Sequence, residues 1–259
     1  MILAIDIGNS NIVLGLCHDG KWSNTFRYET KEAQPEFYYE NSLRNILLEW
    51  GISSSDIIGI VISSVVPDLN QSIREAVENV TGKEPVILGN DVYKSIDFQV
   101  PHPYEIGSDI VSNAYGALCL YDDHCIIVDF GTALTFTIVD KIAGIKGVSI
   151  VPGLKTAIQS LSTNTALLPI VPLALPSSAI GHDTVSAIQS GVLWGYVGLV
   201  TELLRKIKSE LPYEHKVIAT GGLSDILQPL ANQFDQVNKN LTLDGMRFLY
   251  ELYVKNKRH

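Results

Sequence analysis

The chain has little of what stabilises small secreted proteins or extended polymers. Its 259 residues include only three cysteines, Cys17, Cys119 and Cys125, an odd number without CxxC spacing. This pattern excludes a disulfide scaffold, argues against a zinc site and fits a reducing compartment. Glycine and proline, at 20 and 11 residues, are present at ordinary globular levels. Collagen-like and disordered classes are therefore excluded as well.

Positive charge is also scarce. Lys and Arg number 19 against 28 Asp and Glu, a net charge of -9, and the basic run that stands out is the short stretch from Lys255 to His259. Such a protein is a poor partner for nucleic acid. The sequence opens without a basic leader region, and no uninterrupted apolar run approaches the roughly 20 residues of a membrane span. We therefore expect a soluble cytoplasmic protein with neither nucleic-acid nor membrane partners.

The apolar pattern predicts a mixed α/β fold in which one arrangement occurs twice. A strand from Ile2 ends in Asp6-x-Gly8, and a similar strand from Cys125 ends in Asp129-x-Gly131, 123 residues further on. Each is followed by a tight turn and another strand. Helices are predicted near 35–50, 68–80, 154–162, 184–211 and 244–255, and from about 109. We expect two pseudo-equivalent α/β halves, 1–115 and 116–259, that share an interface.

The two Asp-x-Gly turns have the composition of phosphate loops. In the first, a carboxylate at a strand end is followed by glycine and small polar side chains, Asp6-Ile7-Gly8-Asn9-Ser10-Asn11. Backbone N–H groups of such a turn can approach phosphate oxygens while the carboxylate holds Mg²⁺. A single motif of this kind is commonly only a hairpin turn. Its duplicate, Asp129-Phe130-Gly131-Thr132, favours a polyphosphate held from both sides, as in the actin, hexokinase and acetate-kinase superfold.

A third glycine motif, Thr220-Gly221-Gly222, follows a late predicted strand. It resembles the adenosine loop of the same superfold, where glycine lets a nucleotide lie against the backbone. The order of the three motifs favours an ATP-using enzyme.

Asp109 is a further candidate, within Gly107-Ser108-Asp109-Ile110 at a predicted helix start. Local sequence allows two roles for its carboxylate. It is either a helix N-cap or a general base that the helix N-terminus keeps ionised at neutral pH.

These motifs resemble those of the type III pantothenate kinases, which carry out the first step of coenzyme A synthesis. Segments similar to the family pattern follow one another along nearly the whole chain: Asp6–Asn11, with Ser10 for Thr; Ser63–Pro67; Gly107–Ile110; Asp129–Phe136, with Leu134 as the exception; and Ala219–Gly222. The resemblance implies an ATP-dependent phosphotransferase that converts pantothenate to 4'-phosphopantothenate. It also implies α/β architecture with two pseudo-equivalent RNase H-like halves of the actin/hexokinase/acetate-kinase superfold.

The resemblance further implies a role for each matching residue, with Asp109 as proton acceptor for the pantothenate hydroxyl. ATP would be contacted by Asp6, Ile7, Gly8, Asn9, Ser10, Asn11, Ile12, Val13 and Thr132, and by the adenosine-loop residues Gly221 and Gly222. Pantothenate would be contacted by Phe98, Gly107, Ser108, Asp109, Ile110 and Thr184. Asp6 would hold Mg²⁺, and Asp129 would hold a monovalent cation, K⁺ or NH₄⁺. A homodimer with the pantothenate site at the subunit interface is implied as well.

Besides Ser10, Leu134 and Val148, which stands for the second glycine of a family GG pair, two departures from the family pattern concern the pantothenate side. Ile110 stands where the family has arginine, so a cation for the pantothenate carboxylate is missing from its usual place. The aromatic hydroxyl usual upstream of this motif has no clear match, and Phe98 is the nearest aromatic residue.

Two alternatives therefore stay open. One is a catalytically weakened relative that acts as a regulatory or transcriptional accessory protein, against which the retained Asp6, Asp109 and Asp129 argue. The other is a kinase of the same fold for another small alcohol, such as a sugar.

Overall fold

The structure, a computed structural model, describes residues 1–31, 34, 35, 37–224 and 226–257. Arg258 and His259 of the basic terminal stretch, and Glu36 of the first predicted helix, lie outside the described residues. The chain divides into two compact units, Met1–Cys119 with Leu241–His259, and Leu120–Asn240. The last helix thus belongs to the first unit, because it packs on that unit's sheet. The division into pseudo-equivalent halves at residues 115 and 116 stays a prediction.

The strands are β1 (Ile2–Ile7), β2 (Asn11–His18), β3 (Lys21–Glu29), β4 (Gly59–Ser64), β5 (Val86–Ile87), β6 (Cys125–Phe130), β7 (Ala133–Asp140), β8 (Gly144–Pro152), β9 (Lys216–Thr220) and β10 (Gln236–Val237). The helices are α1 (Tyr38–Glu49), α2 (Pro67–Thr81), α3 (Asn90–Tyr93), α4 (Ser108–Tyr121), α5 (Leu154–Thr163), α6 (Thr184–Gln189), α7 (Gly195–Glu210) and α8 (Leu241–Lys257). A π-helical segment, Ser190–Trp194, joins α6 to α7, and short 3₁₀ helices cover Ser54–Asp56 and Gln228–Gln233. The apolar pattern predicted the longer elements but missed α3 and β10, whose two to four residues are too few to show a period.

The two sheets have the same topology. The first has strand order β3-β2-β1-β4-β5 and the second β8-β7-β6-β9-β10. In each sheet the first three strands are antiparallel, and the last two add in parallel beside the Asp-bearing strand. The repeat inferred from the two Asp-x-Gly motifs is therefore a repeat of whole-sheet topology.

In the first unit, the central strands β1 and β4 are buried on both faces. Side chains of α1 and α2, such as Leu43 and Ile73, share one core cluster with Ile5 and Ile62 of the sheet. Helix α8 packs on the opposite face and contacts β1 and β4. Burial on both sides explains why these strands read as continuous apolar runs rather than alternating ones.

In the second unit, the core lies between the sheet and the helices α5 and α7. The continuous helical stretch Thr184–Glu210 is long and apolar enough to cross a membrane by length and composition alone. One such helix is weak evidence, since core helices pass the same test. Here Leu193, Tyr196, Val200 and Leu204 pack into the core of the unit.

Helices α4 and α8 of the first unit approach each other closely. A Cβ built on Gly245 of α8 would lie 1.7 Å from the Ser112 carbonyl oxygen of α4. The Thr242 hydroxyl donates a hydrogen bond to Asn113 Oδ1 at 2.8 Å. Only glycine permits this approach, which fixes the helix carrying Asp109 against the C-terminal helix.

We predict that Gly245→Ala destabilises the protein by about 1–3 kcal/mol, because the added methyl group forces α4 and α8 apart. The control is Gly198→Ala in α7, where nothing lies within 4 Å of the built Cβ. That change should stabilise by roughly 0.5–1 kcal/mol through helix propensity. Urea denaturation measures both values. Equal stability of the two variants would contradict the close contact.

Candidate active site

The first Asp-x-Gly turn is fastened by Thr30. The Gly8 N–H closes the turn by donating to the Asn11 carbonyl oxygen at 3.0 Å. The Thr30 hydroxyl donates to the Gly8 carbonyl at 2.6 Å, and the Thr30 N–H donates to the Ser10 carbonyl at 3.1 Å. Because C=O and N–H point in opposite directions across a trans peptide, the Asn9 N–H is turned away from Thr30. The Gly8 and Ser10 carbonyls face Thr30, and the Asn9 N–H lies on the opposite side of the turn. A backbone N–H on that side is what an anion-binding turn requires.

The second turn is one residue shorter and is fastened by α5. Strand pairing closes it between Phe130 and Leu134, whereas the first closes between Ile7 and Ile12. The Thr132 carbonyl accepts hydrogen bonds from the Gly153 N–H at 2.9 Å and the Thr156 hydroxyl at 2.8 Å.

Glycine is required where α5 meets this turn. A Cβ on Gly153 would lie 2.3 Å from the Gly131 carbonyl oxygen. The start of α5 and the second turn are thus held as one piece.

The predicted adenosine loop lies against the second turn's strand. Gly221 has a φ of +90°, and a Cβ there would lie 2.5 Å from Asp129 Oδ1 and 2.7 Å from the Phe130 nitrogen. Glycine is needed at this position for both its backbone conformation and the contact. The second unit therefore brings Asp129 and Gly221 together, with Gly222 next in the chain and Thr132 three residues after Asp129.

In the first unit, two serines link the Asp6 strand to the Asp109 helix. Asp6 pairs with Ser63 across the parallel strands β1 and β4. The Ser63 and Ser108 hydroxyl oxygens are 2.9 Å apart, and the Ser64 N–H donates to Ser108 Oγ at 2.9 Å. Asp109 is consequently held at the end of the strand beside Asp6.

The hydroxyl of Ser108 is buried in this link between β4 and α4. The expected contact of Ser108 with pantothenate stays a prediction. Ser63 and Ser64 lie in a segment that matches the family pattern, and no role was predicted for them from the sequence. The sequence feature that could have indicated their role is the pair of adjacent serines at the end of a buried strand.

Asp109 is the second residue of α4 and is partly buried. Its Oδ1 accepts the Ile110 N–H at 2.8 Å, and a Cβ on Gly107 would lie 2.3 Å from that oxygen. Burial raises the pKa of Asp109, although the backbone N–H groups of Ile110 and Asp109 oppose the shift. Desolvation of the carboxylate thus outweighs these backbone N–H groups in setting the direction of the shift, and the expectation that the helix N-terminus keeps Asp109 ionised at neutral pH stays a prediction. A pKa raised toward the working pH suits a general base.

The aromatic hydroxyl that the family has upstream of the Gly107–Ile110 motif has no clear match in this sequence, and two aromatic residues are relevant to it. Phe98 is buried and stacks on Tyr115, with ring centroids 5.8 Å apart and planes at 6°. Tyr93, at the end of α3, is also buried, and its pKa is raised first by burial and then by the charge of Asp109. Tyr93 therefore places a phenol hydroxyl in the electrostatic range of Asp109. No sequence pattern pointed to Tyr93, because α3 is only a single turn.

Thr184 belongs to the second unit and begins α6. Asp183 caps this helix, since its Oδ1 accepts the Ser186 N–H at 2.9 Å. Thr184 is exposed and, with His182 and Ile188, lines an open cavity of about 630 Å³.

The carboxylates do not form a dense metal cluster. Within the described parts of the chain, no group of three or more His, Cys, Asp or Glu side chains could hold a metal ion. Asp6 and Asp129 would each have to bind a cation with few protein carboxylates. That fits Mg²⁺, which typically takes one or two carboxylates and completes its shell with phosphate and water.

Solved structures with a similar fold include nucleotide-binding proteins and kinases. An activator of 2-hydroxyisocaproyl-CoA dehydratase from Clostridium difficile, with bound ADPNP, shares 10% identity and a TM-score of 0.57 over 99% of this chain and 97% of that chain. A Sinorhizobium meliloti protein assigned as a 2-dehydro-3-deoxygalactonokinase shares 14% identity and a TM-score of 0.58 over 99% and 96%. A Campylobacter jejuni protein assigned to the Baf family of transcriptional activators shares 20% identity and a TM-score of 0.55 over 99% and 100%.

Together with the repeated sheet topology, these likenesses define an α/β protein of the actin/hexokinase/acetate-kinase superfold, as the motifs predicted. The family model of the type III pantothenate kinases matches residues 2–206. The chain belongs to that family, and hence to the kinases.

We predict that Ser108→Ala lowers the free energy of unfolding by about 1–3 kcal/mol, because the partly buried Ser64 N–H loses its acceptor. Amide exchange at the start of α4 should also become faster. The control, Ser42→Ala, removes a hydroxyl that donates only to the Tyr38 carbonyl within α1. It should change stability by no more than about 0.5 kcal/mol. Wild-type stability and exchange in Ser108→Ala would show that the serine link is dispensable.

Proposed function

We propose that this protein phosphorylates pantothenate to 4'-phosphopantothenate with ATP. The observation that carries the proposal is the family match over residues 2–206, which includes both Asp-x-Gly turns and Asp109. The geometry of the first unit supports it, since the serine link holds Asp109 beside the Asp6 strand.

Asp109 is the catalytic base in this proposal. Its carboxylate accepts the proton of the pantothenate hydroxyl as the hydroxyl oxygen bonds to the γ-phosphorus and ADP leaves. Positioning and charge neutralisation supply most of the catalysis in phosphoryl transfer. The Ile110 N–H orients the carboxylate by bonding Oδ1, and the raised pKa of Asp109 makes it a stronger proton acceptor once ionised.

The nucleotide and its cations are assigned to the glycine turns. Asp6 would hold Mg²⁺, and residues 6–13 with Thr132, Gly221 and Gly222 would contact ATP. Asp129 would hold a monovalent cation, K⁺ or NH₄⁺. Bound cations neutralise the charge that develops on the transferring phosphoryl group. The close approach of Gly221 to Asp129 supports a cradle in which no side chain blocks the nucleotide.

A homodimer is part of the proposal. The segment that follows α5 and leads to α6 exposes large apolar side chains, with Leu167 90%, Ile170 76% and Ile180 71% accessible. Burial of such side chains against a second copy is favourable. Thr184, at the start of α6, would then line a pantothenate site at the subunit interface.

We also propose a cytoplasmic location for the protein.

The test is a coupled ADP-release assay with three acceptors: pantothenate, N-acetylglucosamine and 2-dehydro-3-deoxygalactonate. We expect turnover with pantothenate alone. Turnover only with a sugar-type acceptor would make the chain a same-fold kinase of another specificity. ATP binding without turnover on any acceptor would favour the accessory-protein alternative, which the missing arginine at position 110 would explain.

We predict that Asp109→Asn binds ATP normally but loses turnover on pantothenate by about a hundredfold to ten-thousandfold. In the wild type, kcat/KM should fall as the pH drops through the pKa of Asp109, which burial raises from its ordinary value. Calorimetric titration of ATP and pH–rate profiles measure these effects. Near-wild-type turnover in Asp109→Asn would remove Asp109 from the mechanism.

The same change should raise stability at neutral pH. Because the folded-state pKa of Asp109 lies above the unfolded value, the folded state binds more protons between the two, and stability falls as the pH rises through that window. Asparagine removes this cost while keeping an oxygen for the Ile110 N–H. A higher Tm for Asp109→Asn than for wild type at pH 7 but not at pH 3 is expected.

We predict that Ile110→Arg lowers the KM for pantothenate roughly ten- to a hundredfold, because a charge-assisted bond to the substrate carboxylate is gained. Steady-state kinetics with pantothenate and with its amide, which lacks the carboxylate charge, separates this effect from a change in KM that does not depend on the carboxylate. Only pantothenate should respond. An unchanged KM in the folded variant would mean that another cation already pairs with the carboxylate.

A further inference from the structure

In each unit, a hydroxyl side chain lies beside the aspartate near the end of the central strand. The two hydroxyls differ in their hydrogen bonding. In the first sheet, Asp6 pairs with Ser63 of β4, and in the second, Asp129 pairs with Thr220 of β9. Residues paired in parallel strands project from the same face, about 5 Å apart. Ser63 and Thr220 therefore hold equivalent positions beside the two carboxylates.

Only one of these two hydroxyls has a hydrogen-bond partner in the described residues. Ser63 Oγ bonds Ser108 Oγ at 2.9 Å. Thr220 is 1% exposed, and its Oγ1 is buried without a hydrogen-bond partner in the part of the chain that the structure describes. A buried hydroxyl without a partner has lost its hydrogen bonds to water without replacement, so such a group calls for an explanation.

The position of Asp129 supplies that explanation. Its Oδ1 lies over the backbone of Gly221, the residue directly after Thr220, so closely that a Cβ there would be 2.5 Å away. The carboxylate thus leans toward the end of β9, where the unpaired hydroxyl lies. Carboxylate and hydroxyl oxygens are the donors that hard cations prefer.

We propose that Thr220 Oγ1 and the Asp129 carboxylate together bind the monovalent cation of this enzyme, with Thr220 as a ligand that determines cation affinity. The inference rests on the proposed function, which assigns that cation to Asp129. Binding gives the Thr220 hydroxyl the polar partner that the described residues do not provide.

The test measures the rise in Tm on addition of KCl, with tetramethylammonium chloride keeping ionic strength constant and no nucleotide present. Wild type should show a K⁺-specific rise. Thr220→Val, which keeps the branched shape but removes the hydroxyl, should lose most of it, and Thr220→Ser should keep it. Thr137→Val is the matched control, since Thr137 is a buried threonine of the same sheet that pairs with Ile127 rather than an acid. It should respond like wild type.

The outcomes separate this inference from the function it rests on. A wild-type Tm indifferent to K⁺ overturns the assignment of the cation to Asp129, and this inference with it, while leaving the acceptor assay to decide kinase activity. A wild type that responds, with an equal response in Thr220→Val, overturns the role of Thr220 alone. Without K⁺, Thr220→Val should be at least as stable as wild type, because its hydroxyl had no partner to lose. Should it not fold, Thr220→Ala takes its place.

Discussion

The hydrogen bond between Ser63 and Ser108 is the interaction on which the first unit's site depends. It ties the end of a buried parallel strand to the start of a helix that follows 44 residues later in the chain. The strand fixes the position of Asp6 through backbone pairing, and the helix carries Asp109 one residue beyond the bond. The first Asp-x-Gly turn and Asp109, the proposed catalytic base, are thereby placed relative to each other by two small side chains. Their burial makes the bond hard for water to replace.

The two units show how one sheet topology places its aspartate in two different surroundings. Both place aspartate at the next-to-last position of the central strand, followed by a glycine turn. In the first unit the turn is held by Thr30 after a strand, and in the second by the start of α5. Backbone pairing is thus retained in both units, while the side chains and loops around the carboxylate differ. Chemistry on this fold depends on those surroundings rather than on the strand order.

Much of the fold and part of the candidate site could be predicted from the sequence. The apolar strands ending in Asp-x-Gly and the helix starting near Asp109 are local patterns, and each was found within a few residues of its predicted place. The resemblance of the motifs gave the family, which the match over residues 2–206 shows. Local spacing suffices for such features because strand alternation, turn composition and helix periodicity are set by near neighbours.

The features of the fold and of the candidate site that could not be predicted depend on contacts between residues distant in the sequence. No local pattern shows that Ser108 bonds Ser63, that Tyr93 lies in the field of Asp109, or that Thr220 is unpaired. The direction of the Asp109 pKa shift was also beyond local reasoning. A helix N-terminus favours the ionised form, but burial of the carboxylate outweighs it, and burial depends on tertiary packing. The place of α8 in the first unit likewise follows from packing and not from its order in the chain.

The attachment of α5 to the second turn has a mechanical consequence. The Thr132 carbonyl is bonded to both Gly153 and Thr156, so the turn cannot shift without moving the first turn of the helix. Ten residues of helix form a stiff rod of about 15 Å. Leu161, near its far end, lines the cavity that also contains Thr184. The second turn and one wall of that cavity therefore lie at opposite ends of the same helix, which connects them rigidly.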